Sequence, residues 1–266
     1  NGDPRDLHCV PTRRSSDLDR TRIVLGEADA ELLTRARACV YGLGGVGAAA
    51  AMDLVRAGVG HIVVIDFDVV SESNLNRLYF GYTEEIGRRK IDAFADYARR
   101  VNPAVEVEAT GGIVRGAGAA EGIPDGCGFY LECIDTLNPK VNLMASLAKR
   151  NLPFASSMGT AGRLAPERLK VGSLWDTHDC PLSSLVRKRL RRMGYGPGEA
   201  APFDAPFTCV WSDEPAAPPA MPADGSIPGQ TIDGERVRAV QGSAPFVPQA
   251  AGHILASLAV RSILGR

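Results

Sequence analysis

Continuous apolar runs alternate with amphipathic stretches along most of the chain. Residues 39–41 end a buried run, and 61–65 (HIVVI) is uninterrupted and β-branched, the pattern of parallel strands covered on both faces. Residues 129–134 (FYLECI) form a third such run, 105–109 alternates as a strand does, and 153–156 and 209–211 are short strand candidates. Helical periods separate them. These cover 29–35, a helix from 47 that stops near Gly58-Val59-Gly60, one opened by Gly87-Arg88-Arg89-Lys90 and stopped by Asn102-Pro103, then 139–150, 182–193 and 249–264. This alternation predicts an α/β fold: a Rossmann-like βαβ nucleotide-binding domain on a mainly parallel sheet, extended by a mixed or antiparallel C-terminal part. One domain over 20–266 is expected, divided into halves at 158/159, with a proline-rich loop at 200–229. Residues 1–18 show neither periodicity and read as translated adapter sequence outside the fold.

The joint between the first run and its helix is Tyr41-Gly42-Leu43-Gly44-Gly45-Val46-Gly47. Glycines at Gly42, Gly44, Gly45 and Gly47 permit a tight turn and close backbone approach, and the helix start offers free N–H groups and a positive dipole to a phosphate. The same pattern also suits a plain turn that packs a helix tightly on a sheet. The second run ends in Asp66-Phe67-Asp68, and Asp66 lies 19 positions past Gly47, where an acid can hydrogen-bond ribose hydroxyls. Strand, glycine turn, helix, strand and acid make a βαβ nucleotide unit, which alone suggests a dinucleotide.

Polar residues further on change that picture. The loop after Asp68 supplies Ser73, Asn74, Asn76 and Arg77, and the next helix start supplies Lys90. Cations on two elements suit a triphosphate better than a pyrophosphate bridge, although each taken singly also suits a solvated surface. Asp135, closing the third run, could hold Mg²⁺ through one carboxylate or cap the helix that follows.

The formal net charge of −1 excludes a global basic field, so any nucleic-acid contact has to be local. Arg187, Lys188, Arg189, Arg191 and Arg192 are five cations in six positions, either a solvated helix face or a contact to RNA phosphates. Six cysteines without a C-x-x-C pair argue against structural zinc and a disulfide framework and fit a reduced, cytoplasmic compartment. No apolar run approaches the roughly 18 residues that a membrane span needs.

The glycine motif, Asp66-Phe67-Asp68, Ser73-Asn74-Leu75-Asn76-Arg77, Lys90, Asn102-Pro103 and Ile134-Asp135 together resemble the ThiF/MoeB group of homodimeric adenylating enzymes, relatives of ubiquitin-activating enzymes. The resemblance implies that residues 20–158 bind ATP, with Gly45 and its neighbours on the nucleotide backbone, Asp66 on the ribose, Asn74, Arg77 and Lys90 around the phosphates, and Asp135 on Mg²⁺. It also implies that Arg22 reaches the γ-phosphate of the partner protomer. Residues 159–266 would then serve substrate and dimer.

Gly159-Thr160-Ala161-Gly162, the 182–191 helix, Cys209-Val210-Trp211-Ser212 and 242–248 resemble the branch that cyclises threonylcarbamoyladenosine at position 37 of tRNA. That branch implies tRNA as substrate and a cysteine desulfurase as a further partner. Where it reads Asp-Pro-Leu, this chain has Cys180-Pro181-Leu182. Cys209 is either a nucleophile or sulfur acceptor, or a strand cysteine packed in a core. Two other readings stay open: activation of the C-terminal glycine of a ubiquitin-like sulfur carrier, and a nucleotide-binding module without catalysis.

Overall fold

The computed structural model describes residues 18–111, 122–197, 207–221, 231–232, 235–236 and 239–266. Its strands are β1 (Arg37–Tyr41), β2 (His61–Ile65), β3 (Glu106–Thr110), β4 (Phe129–Glu132), β5 (Phe154–Ser157), β6 (Leu169–Ser173) and β7 (Thr208–Ser212). They form one seven-stranded sheet in the order β3-β2-β1-β4-β5-β7-β6. Every pairing is parallel except β6 with β7. A small antiparallel pair, β8 (Thr231–Ile232) and β9 (Glu235–Arg236), stands apart from it. The α/β expectation therefore holds, including the antiparallel extension.

The helices are α1 (Asp19–Leu25), α2 (Glu27–Arg35), α3 (Gly45–Ala57), α4 (Lys90–Val101), α5 (Leu137–Lys149), α6 (Pro181–Arg192) and α7 (Phe246–Ile263). On one side of the sheet, α3, α4 and α7 cover Val40, Ile62, Val64 and Leu131; on the other, α5 and α6 cover Cys39, Tyr41, Val63 and Tyr130. β1, β2 and β4 thus bury both faces, which is why their apolar runs are continuous. The alanines Ala48–Ala51 let α7 approach α3 so closely that a Cβ on Gly252 would lie 2.4 Å from the Val46 carbonyl oxygen.

Several boundaries differ from those expected. The helix expected at 87 begins at Lys90, because Gly87 has a φ of +89° and Arg89 is extended. β4 ends at Glu132, two residues early, and α7 begins three residues early at Phe246. The sequence did not suggest α1, which buries none of its residues, or β6, an edge strand whose residues are all at least partly exposed. α1 leaves its apolar Ile23 and Val24 exposed, and β6 offers only Leu169 and Val171. Leu18, assigned to the stretch outside the fold, sits close against Gly58 at the end of α3. Residues 1–17, residues 200–206 and 222–229 of the proline-rich loop and the remaining gaps lie outside the described residues.

Candidate nucleotide-binding site

The strand order reverses between β1 and β4: β2 and β3 lie to one side, and β5, β7 and β6 to the other. In open α/β sheets the crevice at the carboxyl ends of such a pair is where ligands bind. The glycine turn leaves β1 there, against the segment that leaves β4. Gly42 has a φ of +84°, and a Cβ on it would stand 3.0 Å from the Cys133 carbonyl oxygen. A Cβ on Gly47 would come within 1.7 Å of the Gly42 carbonyl oxygen, so the helix start can close over the turn only without a side chain. Gly44 faces open space, with nothing within 4 Å. The turn thus packs tightly at both ends and leaves its middle open to a ligand, with the first N–H groups of α3 beside it.

Asp66 fixes this turn. One carboxylate oxygen accepts the Leu43 N–H at 2.5 Å and the other the Asp68 N–H at 2.7 Å. Burial raises the Asp66 carboxyl above its ordinary value, against the opposing pull of Lys90 and the two amide donors. The residue expected to hold a ribose therefore ties the end of β2 to the turn after β1 through one oxygen and fixes the exit of its own strand with the other. Beside it Lys90, 6% exposed at the start of α4, pairs with Asp68 at 2.8 Å. Asp68 is half-exposed, which leaves the ammonium an anionic neighbour at the mouth of the crevice rather than inside the core.

The 73–77 loop forms the next wall. Ser71 and Asn74 make reciprocal side-chain to backbone contacts that start a short 3₁₀ turn over Glu72–Asn74, and the Ser73 hydroxyl meets that of Ser71 at 3.0 Å. Arg77 lies across the helix start: a Cβ on Gly45 would touch its Cγ and Cδ at 3.2 Å. Its guanidinium donates to the Ser73 carbonyl at 2.7 Å and to Asn76 Oδ1 at 2.9 Å. The Asn76 amide donates in turn to the Ser243 carbonyl at 2.7 Å, and Gln249 Nε2 donates to the Arg77 carbonyl at 3.3 Å. Ser243, Pro248 and Gln249 were not expected at the site. The 242–248 stretch entered through its resemblance to the cyclising branch and not as part of the nucleotide site, and a contact across 167 positions leaves no local mark.

Asp135 is exposed, and among the described residues its carboxylate meets only the Thr136 hydroxyl, at 3.2 Å. It does not cap α5; that position is Thr136. Behind it lies a buried network that the sequence did not suggest. Lys140 is fully buried with Glu132, and its ammonium pairs with that carboxylate, meets Ser156 Oγ at 3.1 Å and donates to the Ser157 carbonyl at 2.8 Å. Glu132 Oε1 accepts the Ile134 N–H at 2.8 Å, so this network holds the backbone immediately before Asp135.

The structure thus gathers Gly42, Gly44, Gly45, Gly47, Asp66, Asp68, Ser73, Asn74, Asn76, Arg77, Lys90 and Asp135 around one sheet edge. Arg22 is not among them: it pairs with Glu27 across the Gly26 turn. Among the cations of α6, Arg187 faces inward, donating to the carbonyls of Leu174 at 3.3 Å and Thr177 at 2.5 Å and to the Thr177 hydroxyl, which corrects its assignment to an RNA surface. Cys209 is fully buried, and burial pushes its thiol up to about 12, which opposes a nucleophilic or sulfur-accepting role. Cys180 precedes α6 without a side-chain cap, and its sulfur packs near Gly159.

The ThiF family model matches residues 18–168, from the start of α1 through the glycine turn, the 73–77 loop and Asp135. The chain belongs to the ThiF family. It is 28% identical to the tRNA threonylcarbamoyladenosine dehydratase of Bacillus subtilis, over 92% of this chain and 93% of that protein. A crystal structure of the E. coli tRNA N6-threonylcarbamoyladenosine dehydratase in complex with ATP is 26% identical, superposes with a TM-score of 0.79, and covers 92% of this chain and 93% of its own. The E. coli molybdopterin-synthase adenylyltransferase is 32% identical, but over only 47% of this chain and 50% of its own. No helix among the described residues is long and apolar enough to cross a membrane.

Proposed function

We propose that this ThiF-family chain is an ATP-dependent dehydratase that cyclises N6-threonylcarbamoyladenosine at tRNA position 37. The observation that carries the reading is the end-to-end likeness to dehydratases, which runs through the second half as well as the nucleotide half. Activation of a sulfur-carrier protein is the weaker reading, because the likeness to the molybdopterin-synthase adenylyltransferase covers less than half of the chain.

The threonyl carboxylate attacks the α-phosphorus of ATP, forming a P–O bond while pyrophosphate leaves. The carbamoyl group then attacks the activated carbonyl carbon, AMP leaves with the former carboxylate oxygen, and the ring closes. A proton passes to solvent. No enzyme nucleophile is needed, consistent with the buried state of Cys209. The chain's own part is positioning and charge stabilisation. Phosphates lie over Gly44 and the N–H groups of α3; Arg77 and Lys90 exchange their present oxygen partners for phosphate oxygens.

Among the described residues no three His, Cys, Asp or Glu side chains converge on a point. Mg²⁺ is commonly held by one or two carboxylates together with substrate phosphates. Asp135, whose carboxylate meets only a hydroxyl among the described residues, fits that role, and the ion would neutralise the departing pyrophosphate. The active unit is a homodimer in the cytoplasm, in which Arg22 leaves Glu27 for the nucleotide of the partner protomer.

Purified protein incubated with ATP, Mg²⁺ and tRNA bearing threonylcarbamoyladenosine should yield a nucleoside lighter by the mass of one water, read by mass spectrometry. The Asp135→Ala variant should lose that product at least about 100-fold, with its melting temperature unchanged. Undiminished turnover by the variant would remove Asp135 from the site.

A further inference from the structure

The five cations of α6 do not act as one patch. Arg187 and Arg191 are four positions apart and therefore share a helix face. Arg187 binds the carbonyls of Leu174 and Thr177, and Arg191 stacks over the Trp175 ring at 5.5 Å. Both are committed to the Leu174–Asp176 turn. Arg189 and Arg192 are three apart and share a different face, turned toward α5. There, with Asn138, Val141, Asn142 and Met193, they line a groove of about 450 Å³. Both guanidiniums are exposed and form no ion pair or hydrogen bond with any described residue. Asn138 and Asn142 are one turn apart on α5, so two carboxamides face two guanidiniums across the groove.

This chemistry suits a phosphodiester. Guanidiniums bind phosphate oxygens through paired N–H donors, and carboxamides donate to phosphate or sugar oxygens. The location selects the source. Asn138 lies in the first turn of α5, three positions after Asp135, so the groove leads away from the edge of the nucleotide site. A polynucleotide whose modified base reaches that edge would carry its backbone past this point.

We infer that the groove between α5 and α6 binds an RNA backbone phosphate through Arg189, Arg192, Asn138 and Asn142. This rests on the tRNA reading above and assigns residues to it. The groove holds the strand; it takes no part in the adenylation step.

The test compares wild type with an Arg189→Gln/Arg192→Gln double variant and with Arg191→Gln. Direct binding of modified tRNA is measured across a salt series, alongside KM and kcat for dehydration and inhibition by inorganic pyrophosphate. The double variant should bind tRNA about 10-fold more weakly, with a log–log salt slope shallower by about 1 for each phosphate that is no longer neutralised. Its kcat and its affinity for ATP should stay at the wild-type level, and Arg191→Gln should bind tRNA within about twofold of wild type. An unchanged tRNA affinity and slope in the double variant overturns the groove assignment. So does a change confined to pyrophosphate inhibition, which would make the groove a site for the released product. Because binding is read without turnover, wild type that binds tRNA but never dehydrates it defeats the proposed reaction and leaves the groove test in force.

Discussion

Single residues around the nucleotide crevice separate into those that build the turn and those that meet a ligand. Gly47 and Gly44 make the contrast measurable. A methyl group on Gly47 would overlap the Gly42 carbonyl, so Gly47→Ala has to displace the turn or the start of α3. It should lower stability by about 1–3 kcal/mol, the usual cost of overpacking, and abolish ATP binding. Gly44 has an ordinary φ of −79° and open space before it. Gly44→Ala should fold with at most about 1 kcal/mol lost at the helix cap, yet weaken ATP at least about 10-fold, because the added methyl stands where a phosphate would approach. Calorimetric melting and ATP titration of both variants check this. Full ATP affinity in Gly44→Ala would place the phosphates elsewhere. Both glycines were legible in the sequence as one motif. Their different duties were not, because those depend on what each Cα faces.

Glu132 of β4 and Lys140 of α5 form a buried ion pair that also reaches Ser156 and Ser157 of β5. Removing one partner of such a pair commonly costs about 3–5 kcal/mol, while replacing both with apolar groups is often neutral or stabilising. Lys140→Met should therefore be strongly destabilised in urea, and Glu132→Leu/Lys140→Met should recover to within about 1 kcal/mol of wild type. A double variant no better than the single one would mean that the ammonium is held chiefly by Ser156 and the Ser157 carbonyl.

The antiparallel edge offers a pH test. Lys170 and Arg168, at β6 and just before it, lie 2.5 and 2.7 Å from Asp213 and hold its carboxyl at about 2, below the ordinary 3.8. With the folded value depressed, the unfolded chain takes up the proton first. The stability contributed by this clasp is therefore present above about pH 4 and lost as pH falls toward about 2. The stability difference between wild type and Asp213→Asn should shrink across that interval. A difference that stays constant down to pH 2 would show that the clasp is not titrating. β6 escaped the sequence because its hold on the sheet is polar and its residues largely exposed. The helices and strands that were legible are those with a continuous or periodic apolar face.

At the scale of the whole molecule, the last helix completes the first site. α7 packs on α3 through Gly252, and its first turn brings Pro248 and Gln249 against Gly45 and Arg77. Gly252→Ala places a Cβ 2.4 Å from the Val46 carbonyl oxygen and 2.7 Å from Ala49 Cβ. The variant should lose about 2–3 kcal/mol and also raise KM for ATP several-fold, although the substitution touches no ligand. Lowered stability with an unchanged KM would show that the Arg77 loop keeps its shape without α7.

The sequence by itself determined the α/β alternation, the glycine turn, the acid that follows it and the resemblance to adenylating enzymes. All of these are local patterns: apolar runs of strand length, glycines at fixed spacing, and a carboxylate at a strand end. Tertiary structure alone decided that Asp66 holds the turn with one oxygen and its own strand end with the other, that Gln249 backs Arg77, that a buried lysine and glutamate support the approach to Asp135, and that Arg187 turns inward while Arg189 and Arg192 line a groove. Those outcomes depend on which surfaces meet across distances of up to 170 positions or so, and a side chain's partners are set by packing rather than by its neighbours in the chain.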